Sequence, residues 1–466
     1  MNLFKVSKFF LYLVPLMIFL VITSSLFPFI VGKYVWVRIA VDLALISFLL
    51  GLLFNQQESA QISINQRFKQ LIKNPLVIAV SVFIFMFLLA CLFGFDPKNS
   101  FWSNFERGEG GLQILHFYVF FALLVVLFKD EKDWRTIFTF TLIGGLGMAL
   151  YGFLAGLGVQ NFIGPRFNDP SFRFQGSIGN SAYVAAYAIF MLFYAGYILA
   201  SKYRKQLFSF GALIFWLFFA LFLAVFFAAA TRGAFVGFVA SLVVFIGYLA
   251  FCSKRWRKRL IGVAVVLVLA VILLVQFKDN SFIKSSPVSR ILDLSFSTKT
   301  FQDRAIMWQI AIDGWKQRPI FGWGPENFLP IFDRDFNIKY FVPSQGFGAW
   351  FDRAHSIYFD YLAETGILGL LSLLGVWFVF YWQFFKTRIR TDKERINTDN
   401  PYKSDKISIN PRLENQHQSA LQSALLFALP IAYLVQGIVL FDVSPIYFNI
   451  FLFLAFAAYK FQGQKF

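Results

Sequence analysis

Three histidines occur in the chain, and one of them sits among other groups able to do chemistry. His355 stands in RAHSIYFDYLAETG, with Arg353 before it and Asp360 and Glu364 one to two helical turns further on. Imidazole is suited to taking a proton from a hydroxyl near neutral pH. His116 lies inside an apolar run, where hydrogen bonding to a neighbouring helix is the simplest expectation. His417 falls in a polar stretch and carries no expected role. Two arginines are placed unusually. Arg232, in AAATRGAFVGF, divides two apolar stretches with no acidic residue close by in sequence, and Arg173, in FRFQGSIGNSAYVAAY, precedes another apolar run. Guanidinium matches phosphate oxygens bidentately, although either residue alone also fits a side chain snorkelling to headgroups. Taken with Arg353 and His355, they read as a site for a phosphate-bearing ligand. The sequence has no HExxH or Walker motif, so neither a metal nor a nucleotide cofactor is expected. Cys91 and Cys252 lie in or beside apolar runs and read as small packing residues.

These groups must be held by membrane-spanning helices. Of 466 residues 58% are apolar and only 15% are charged, against about a quarter charged in soluble domains. Uninterrupted apolar runs predict about twelve spans, near 9–31, 35–54, 75–95, 112–128, 136–157, 177–200, 207–228, 233–252, 260–277, 364–385, 421–440 and 444–460. Backbone polar groups in lipid must be paired within their own segment, so the fold class is an all-α integral membrane protein. The runs are too long, and lack the alternation, for barrel strands. Lys5 and Lys8 ahead of an apolar run resemble a signal peptide, but no small-residue cleavage site follows, so this run is expected to be the first helix.

The net charge of +18 orients the spans. With an even number of spans, one side carries 26 lysines and arginines and the other 17, ten of them in a single long loop. The positive-inside rule discounts long loops. Both termini are therefore expected in the cytoplasm, which places Arg173, Arg232, Arg353 and His355 on the outer side. Three regions follow: helices one to nine over 1–277, an outer loop over 278–363, and helices ten to twelve over 364–466 with a flexible cytoplasmic loop at 386–420. Within the outer loop, Asp303 to Trp315 predicts an amphipathic helix with Ala305, Trp308, Ile312 and Trp315 on one face. Pro319, Gly322, Gly324 and Pro325 then break the chain, and the stretch opened by His355 runs into the tenth span without a breaker.

Four segments carry a resemblance: RFQGSIGNSAYVAAY, TRGAFVGF, RAIMWQIAIDGWKQRPIFGWGPENF and RAHSIYFDYLAETGILGLL. They resemble the O-antigen ligase and polymerase superfamily, which also includes bacterial protein O-oligosaccharyltransferases. The resemblance covers 160–380 in motif and the whole chain in topology. It implies a GT-C-like, metal-independent glycosyltransferase of the inner membrane. Such an enzyme moves a glycan from an undecaprenyl-diphosphate donor to an acceptor hydroxyl at the outer face. By the same resemblance His355 is the general base, and Arg173 and Arg232 hold the diphosphate. Arg353, Gly322, Gly324, Asn180, Tyr358 and Glu364 are implied as substrate-binding residues. Ser356 stands where many members carry asparagine. Expected partners are the donor, a glycan, lipid or protein acceptor, and the bilayer, with no nucleic acid. Polymerase and protein O-glycosylation readings share these motifs. A lipid-linked glycan transporter is a more distant alternative, disfavoured because no paired Gly/Pro-interrupted spans recur in matching halves.

Overall fold

A computed structural model of the chain describes residues 2–54, 72–252, 257–277, 280, 291, 298–338, 350–398 and 411–463, with side chains described except at 388–398, 411–419 and 463. Much of the 55–74 and 253–259 cationic segments, part of the 278–363 loop, the middle of 386–420 and the side chain of His417 thus lie outside the described residues. The described residues form helices and turns, with no strand among them. The helices are α1 (Leu3–Leu13), α2 (Val31–Phe54), α3 (Pro75–Phe93), α4 (Pro97–Trp102), α5 (Gly111–Leu127), α6 (Glu131–Gly156), α7 (Ser181–Lys202) and α8 (Phe210–Ala228). They continue with α9 (Arg232–Cys252), α10 (Arg257–Gln276), α11 (Lys299–Gln317), α12 (Phe328–Arg334), α13 (Ile357–Thr398), α14 (Pro411–Gln436) and α15 (Ser444–Gly463). Among the described residues nine helices are long and apolar enough to cross a bilayer, and two shorter apolar helices accompany them. The chain is a multi-pass α-helical membrane protein.

Four elements differ from the sequence expectation. The first apolar run is not one helix over 9–31. After α1, a 3-10 turn takes Val14–Phe19 and turns follow, because Pro15 at the start of that segment has no N–H to continue the α-helical ladder. Helix α13 starts at Ile357, seven residues before the expected span, and it does contain a break, at Gly366 (φ 66, ψ −170). The amphipathic helix exists as α11, but Met307, Ile310, Ala311 and Gly314 are buried while Ala305 is exposed. The buried stripe is therefore rotated from the expected one. Finally, the polar 386–420 stretch is helical at both ends, as the continuations of α13 and α14.

Helices α7 and α15 are enclosed on nearly all sides and form the centre of the bundle. Several of their polar side chains are paired internally, as an apolar surround favours. Tyr194 bonds Asn449 at 3.0 Å, Tyr187 donates to the carbonyl of Thr141 at 3.3 Å, and Tyr197 donates to Glu131 at 2.8 Å. Helix α9 packs closely on α14, since Gly237 brings its backbone to the Ala432 carbonyl, where a Cβ would stand 2.6 Å from the oxygen. That approach fixes the start of α9, where Arg232 sits. His116 bonds a neighbouring helix as expected: Nε2 lies 3.2 Å from Asp42 of α2 and Nδ1 lies 2.7 Å from the Leu112 carbonyl.

Candidate active site

The starts of α7, α9 and α13 meet beside α11. Each residue that begins them is set by local chain chemistry. Asn180 caps α7, its side chain accepting from Ala182 N at 2.8 Å. Just upstream, Phe174 N donates to the Ala228 carbonyl at 3.0 Å, which binds the Arg173 segment to the end of α8. Arg173 reinforces that join, donating to the Ala229 carbonyl (3.2 Å) and to Thr231 Oγ1 (2.9 Å). Ala230 between them takes φ 44, a conformation that side chains other than glycine rarely adopt. Arg173 thus grips the turn that ends in Arg232, and the two arginines are brought together through Thr231.

A second segment brings in Arg304, on the first turns of α11. Trp308, one turn on, stacks on Phe359 of α13 at 5.1 Å, which anchors α11 to the helix that follows His355. Arg304 lies close enough to Arg232 for the two charges to act on each other, and Tyr183 adjoins it. Burial and the Arg232 charge hold the Arg304 guanidinium below its ordinary pKa. Arg304 Nε is buried without a hydrogen-bond partner.

His355 lies within reach of the Arg304 charge. Its backbone is left-handed (φ 59), a strained conformation of the kind found at functional sites. The ring is clamped edge-on between Phe351 (5.0 Å) and Phe441 (5.1 Å). Nδ1 lies 3.1 Å from the Arg353 carbonyl. A carbonyl only accepts, so Nδ1 carries the proton and Nε2 keeps its lone pair. Burial first, and then the charges of Arg304 and Arg107, push the imidazole down to about 4. The ring is therefore neutral at pH 7 with a vacant acceptor nitrogen. Arg107 is itself fixed by a bidentate pair to Asp352 (2.6 and 2.8 Å) and lies over the Phe441 ring. Burial pushes the Asp352 carboxyl up, but Arg107 outweighs it and holds the group below its usual range.

Behind the histidine the chemistry reverses. Arg353 is buried and paired with Glu364 (2.5 Å) and with Glu326. Burial opposes its charge, yet these carboxylates hold its pKa well above the ordinary value. Asp360 accepts from Ala354 N (2.6 Å) and Ser356 N (3.3 Å), so it holds the backbone on both sides of His355. Ser356 Oγ donates to the Gly437 carbonyl (3.3 Å), and Tyr358 OH donates to the Leu434 carbonyl (2.8 Å). Gly322 and Gly324 have φ 70 and φ 91 and lie against the break in α13. There Trp323 N and Gly324 N take the Ala363 and Glu364 carbonyls (2.9 and 2.7 Å), which Gly366 frees from the helical ladder. A Cβ on Gly322 would stand 2.5 Å from the Glu364 backbone, so only glycine permits this clasp.

Of the sequence-derived residues, Arg173 is tied to the Arg232 turn through Thr231, His355 and Arg232 each lie within charge range of Arg304, and Arg353 and Glu364 form an internal ion pair. It gives Asn180, Tyr358, Gly322 and Gly324 structural bonds or packing. Sequence reasoning missed Arg304 and Arg107. RAIMWQ and FERGEGG both look like ordinary charged segments, and the one available signal for Arg304 was its place one turn before Trp308 in a stretch of the resemblance. Among the described residues no group of three His, Cys, Asp or Glu side chains is arranged to hold a metal ion.

Residues 217–374 match the family profile described as O-antigen ligase. The match covers about a third of the chain, from α8 to α13, and supports the resemblance to the O-antigen ligase and polymerase superfamily. It includes Arg232, Arg304, Arg353 and His355; Arg173, Arg107 and Glu109 lie upstream of it. No curated protein matches the chain.

Proposed function

We propose that the protein is an O-antigen ligase-like membrane glycosyltransferase with a GT-C-like architecture. It moves a glycan from an undecaprenyl-diphosphate donor to an acceptor hydroxyl at the outer face of the inner membrane, with both termini in the cytoplasm. The observation that carries this reading is a neutral histidine whose Nε2 is available to accept a proton, set within charge range of Arg304, which in turn lies beside Arg232. Guanidinium groups set beside each other repel, and an anion between them offsets that repulsion. A diphosphate supplies that anion.

In the proposed reaction the acceptor oxygen attacks the anomeric carbon while the bond from that carbon to the diphosphate oxygen breaks. The bond electrons leave with the diphosphate, and the hydroxyl proton passes to His355 Nε2. A single displacement of this kind inverts the anomeric centre. Arg232 and Arg304 stabilise the charge that grows on the leaving oxygen, which is where fixed positive groups contribute most. Arg173 holds the turn that aims Arg232. A low-pKa imidazole is a weak base, and an anion beside Arg304 strengthens it by offsetting the part of the depression that the Arg304 charge causes, while burial keeps it low. The three regions 1–277, 278–363 and 364–466 divide the labour: the helices seat the lipid and the outer loop supplies Arg304, Arg353 and His355.

The test is glycan transfer in proteoliposomes loaded with an undecaprenyl-diphosphate glycan. Wild type is compared with His355→Ala, Arg232→Ala and Arg173→Ala, with and without a chelator. The expected outcome is loss of transfer in the variants and no effect of the chelator. Transfer that survives all three substitutions sinks the site, and strong chelator inhibition sinks the metal-free mechanism. Offering lipid A core, free repeating unit and a Ser/Thr peptide as acceptors separates the ligase from polymerase and protein O-oligosaccharyltransferase activities.

A further inference from the structure

Behind the loop that carries His355 lies a small cavity of about 20 Å³. Five carboxylates line it, Glu109, Glu326, Asp360, Glu364 and Asp442, and Arg353 is the only cation in its wall. Four of the five have partners. Glu326 and Glu364 pair with Arg353, Asp360 accepts two backbone N–H groups, and Asp442 accepts from Tyr433 OH at 2.7 Å. Glu109 is different. Its Oε1 accepts from Ser444 N at 2.5 Å, but Oε2 has no hydrogen-bond partner although the residue is only 5% exposed.

A buried carboxylate oxygen without a donor is strongly disfavoured, and more so with four other acids around it. Protonation removes the charge and turns Oε2 into a donor that needs an acceptor. A cavity of roughly 10–15 Å³ or more, measured for a water-sized probe, admits one water if two to four polar groups reach it. The cavity meets both conditions. We propose that it is a proton- and water-binding site, in which Glu109 carries a proton and donates it to a single water that in turn donates to the carboxylates opposite.

The groups facing Glu109 come from every element around it. They are Arg107 on its own segment, Glu326 after α11, Arg353 before α13, Asp360, Tyr361 and Glu364 on α13, Asp442 before α15, Tyr447 on α15 and Tyr183 on α7. Burial and the Glu326 charge push the Glu109 carboxyl up to about 8, against the pull of Arg353 and Arg107. A carboxyl raised in the folded state makes stability fall as pH rises, from its unfolded value near 4.5 through about 8. Arg353 and Asp360 hold the backbone of the histidine loop, so this site also governs how firmly His355 is seated. That last consequence rests on the transferase reading; the site itself does not.

The experiment is infrared spectroscopy of the purified full chain in lipid, with and without ¹³C-glutamate, from pH 6 to pH 10. The expected result is a protonated-carboxyl C=O band at pH 6 that shifts with the glutamate label, disappears with a midpoint near pH 8 and is absent in Glu109→Gln. Absence of a glutamate-derived acid band at pH 6 in wild type overturns the proposal without any variant. So does a band that persists unchanged in Glu109→Gln. Thermal melts give a second readout. Wild-type Tm should fall between pH 6 and pH 9, and the Glu109→Gln curve should be flatter; equal slopes contradict the proposal. Neither measurement uses glycan transfer, so a failure of the transferase reading leaves this result to stand or fall separately.

Discussion

The two sides of the 351–356 segment are opposites. On the His355 side, Arg232 and Arg304 stand together with Nε of Arg304 unbonded. On the other side, five carboxylates surround the single guanidinium of Arg353. Arg353 is buried and Arg232 and Arg304 are half-buried, and burial penalises unbalanced charge of either sign. On the acidic side four of the five carboxylates are answered internally, by Arg353, backbone N–H groups and Tyr433. On the cationic side Arg304 Nε is buried with no hydrogen-bond partner, and in the proposed reaction that side takes the anionic ligand.

That contrast predicts unequal consequences for superficially similar changes. The largest belongs to His355→Ala, which removes the proton acceptor and is expected to lower the transfer rate about 10²- to 10⁴-fold with folding retained. Single-turnover kinetics check it, and an unchanged melt shows that the loss is chemical. The same assay probes Arg304→Ala or Arg232→Ala, each expected to lower the rate roughly 10²- to 10³-fold, with little effect on Tm. Arg353→Gln should behave the other way. It strands two buried carboxylates and should destabilise the fold by about 3–5 kcal/mol, read as a lower Tm. Equal Tm for Arg353→Gln and Arg304→Ala would erase the distinction between the two sides. The smallest effect is expected from Thr231→Ala, which loosens the Arg173 grip on the Arg232 turn. One hydrogen bond is worth about 1 kcal/mol, so a rate loss of a few fold is expected in the transfer assay.

The pH dependence sharpens the comparison further. His355 is lowered to about 4 in the fold, so its neutral form dominates down to that pH. A group depressed in this way contributes stability present above its unfolded value near 6.5 and lost as pH falls towards 4. The acid limb of kcat/KM should therefore lie well below pH 6.5 in the free enzyme, and an acid limb near 7 would show that the ring is not buried under arginine charge.

Much of this was legible from the sequence because membrane proteins punish misplaced charge. Arg232 and Arg173 stood out as cations at apolar boundaries, and His355 by its chemistry and its neighbours. The apolar runs located nearly every helix. What was not legible depends on contacts far apart in the chain. Arg353 and Glu326 are 27 residues apart and meet only after α13 and the Gly322–Gly324 clasp have formed. Arg107 and Arg304 lie in stretches whose charge density looks ordinary, and only convergence on His355 distinguishes them. The break at Gly366 hid inside a run read as continuous, because one glycine in an apolar helix is unremarkable by composition. Pro15 was visible, but its effect on the first helix was underestimated.

The central claim is that Arg232 and Arg304 form an anion site in front of His355, and affinity for a short-chain prenyl diphosphate tests it most directly. Binding to the purified chain in lipid nanodiscs is measured for wild type, Arg304→Gln and Glu364→Gln, alongside prenyl alcohol as the uncharged control. The account predicts at least a tenfold weaker Kd for the diphosphate in Arg304→Gln, about 1.4 kcal/mol, with affinity for the alcohol unchanged and much less weakening in Glu364→Gln. Unchanged diphosphate affinity in Arg304→Gln would contradict it.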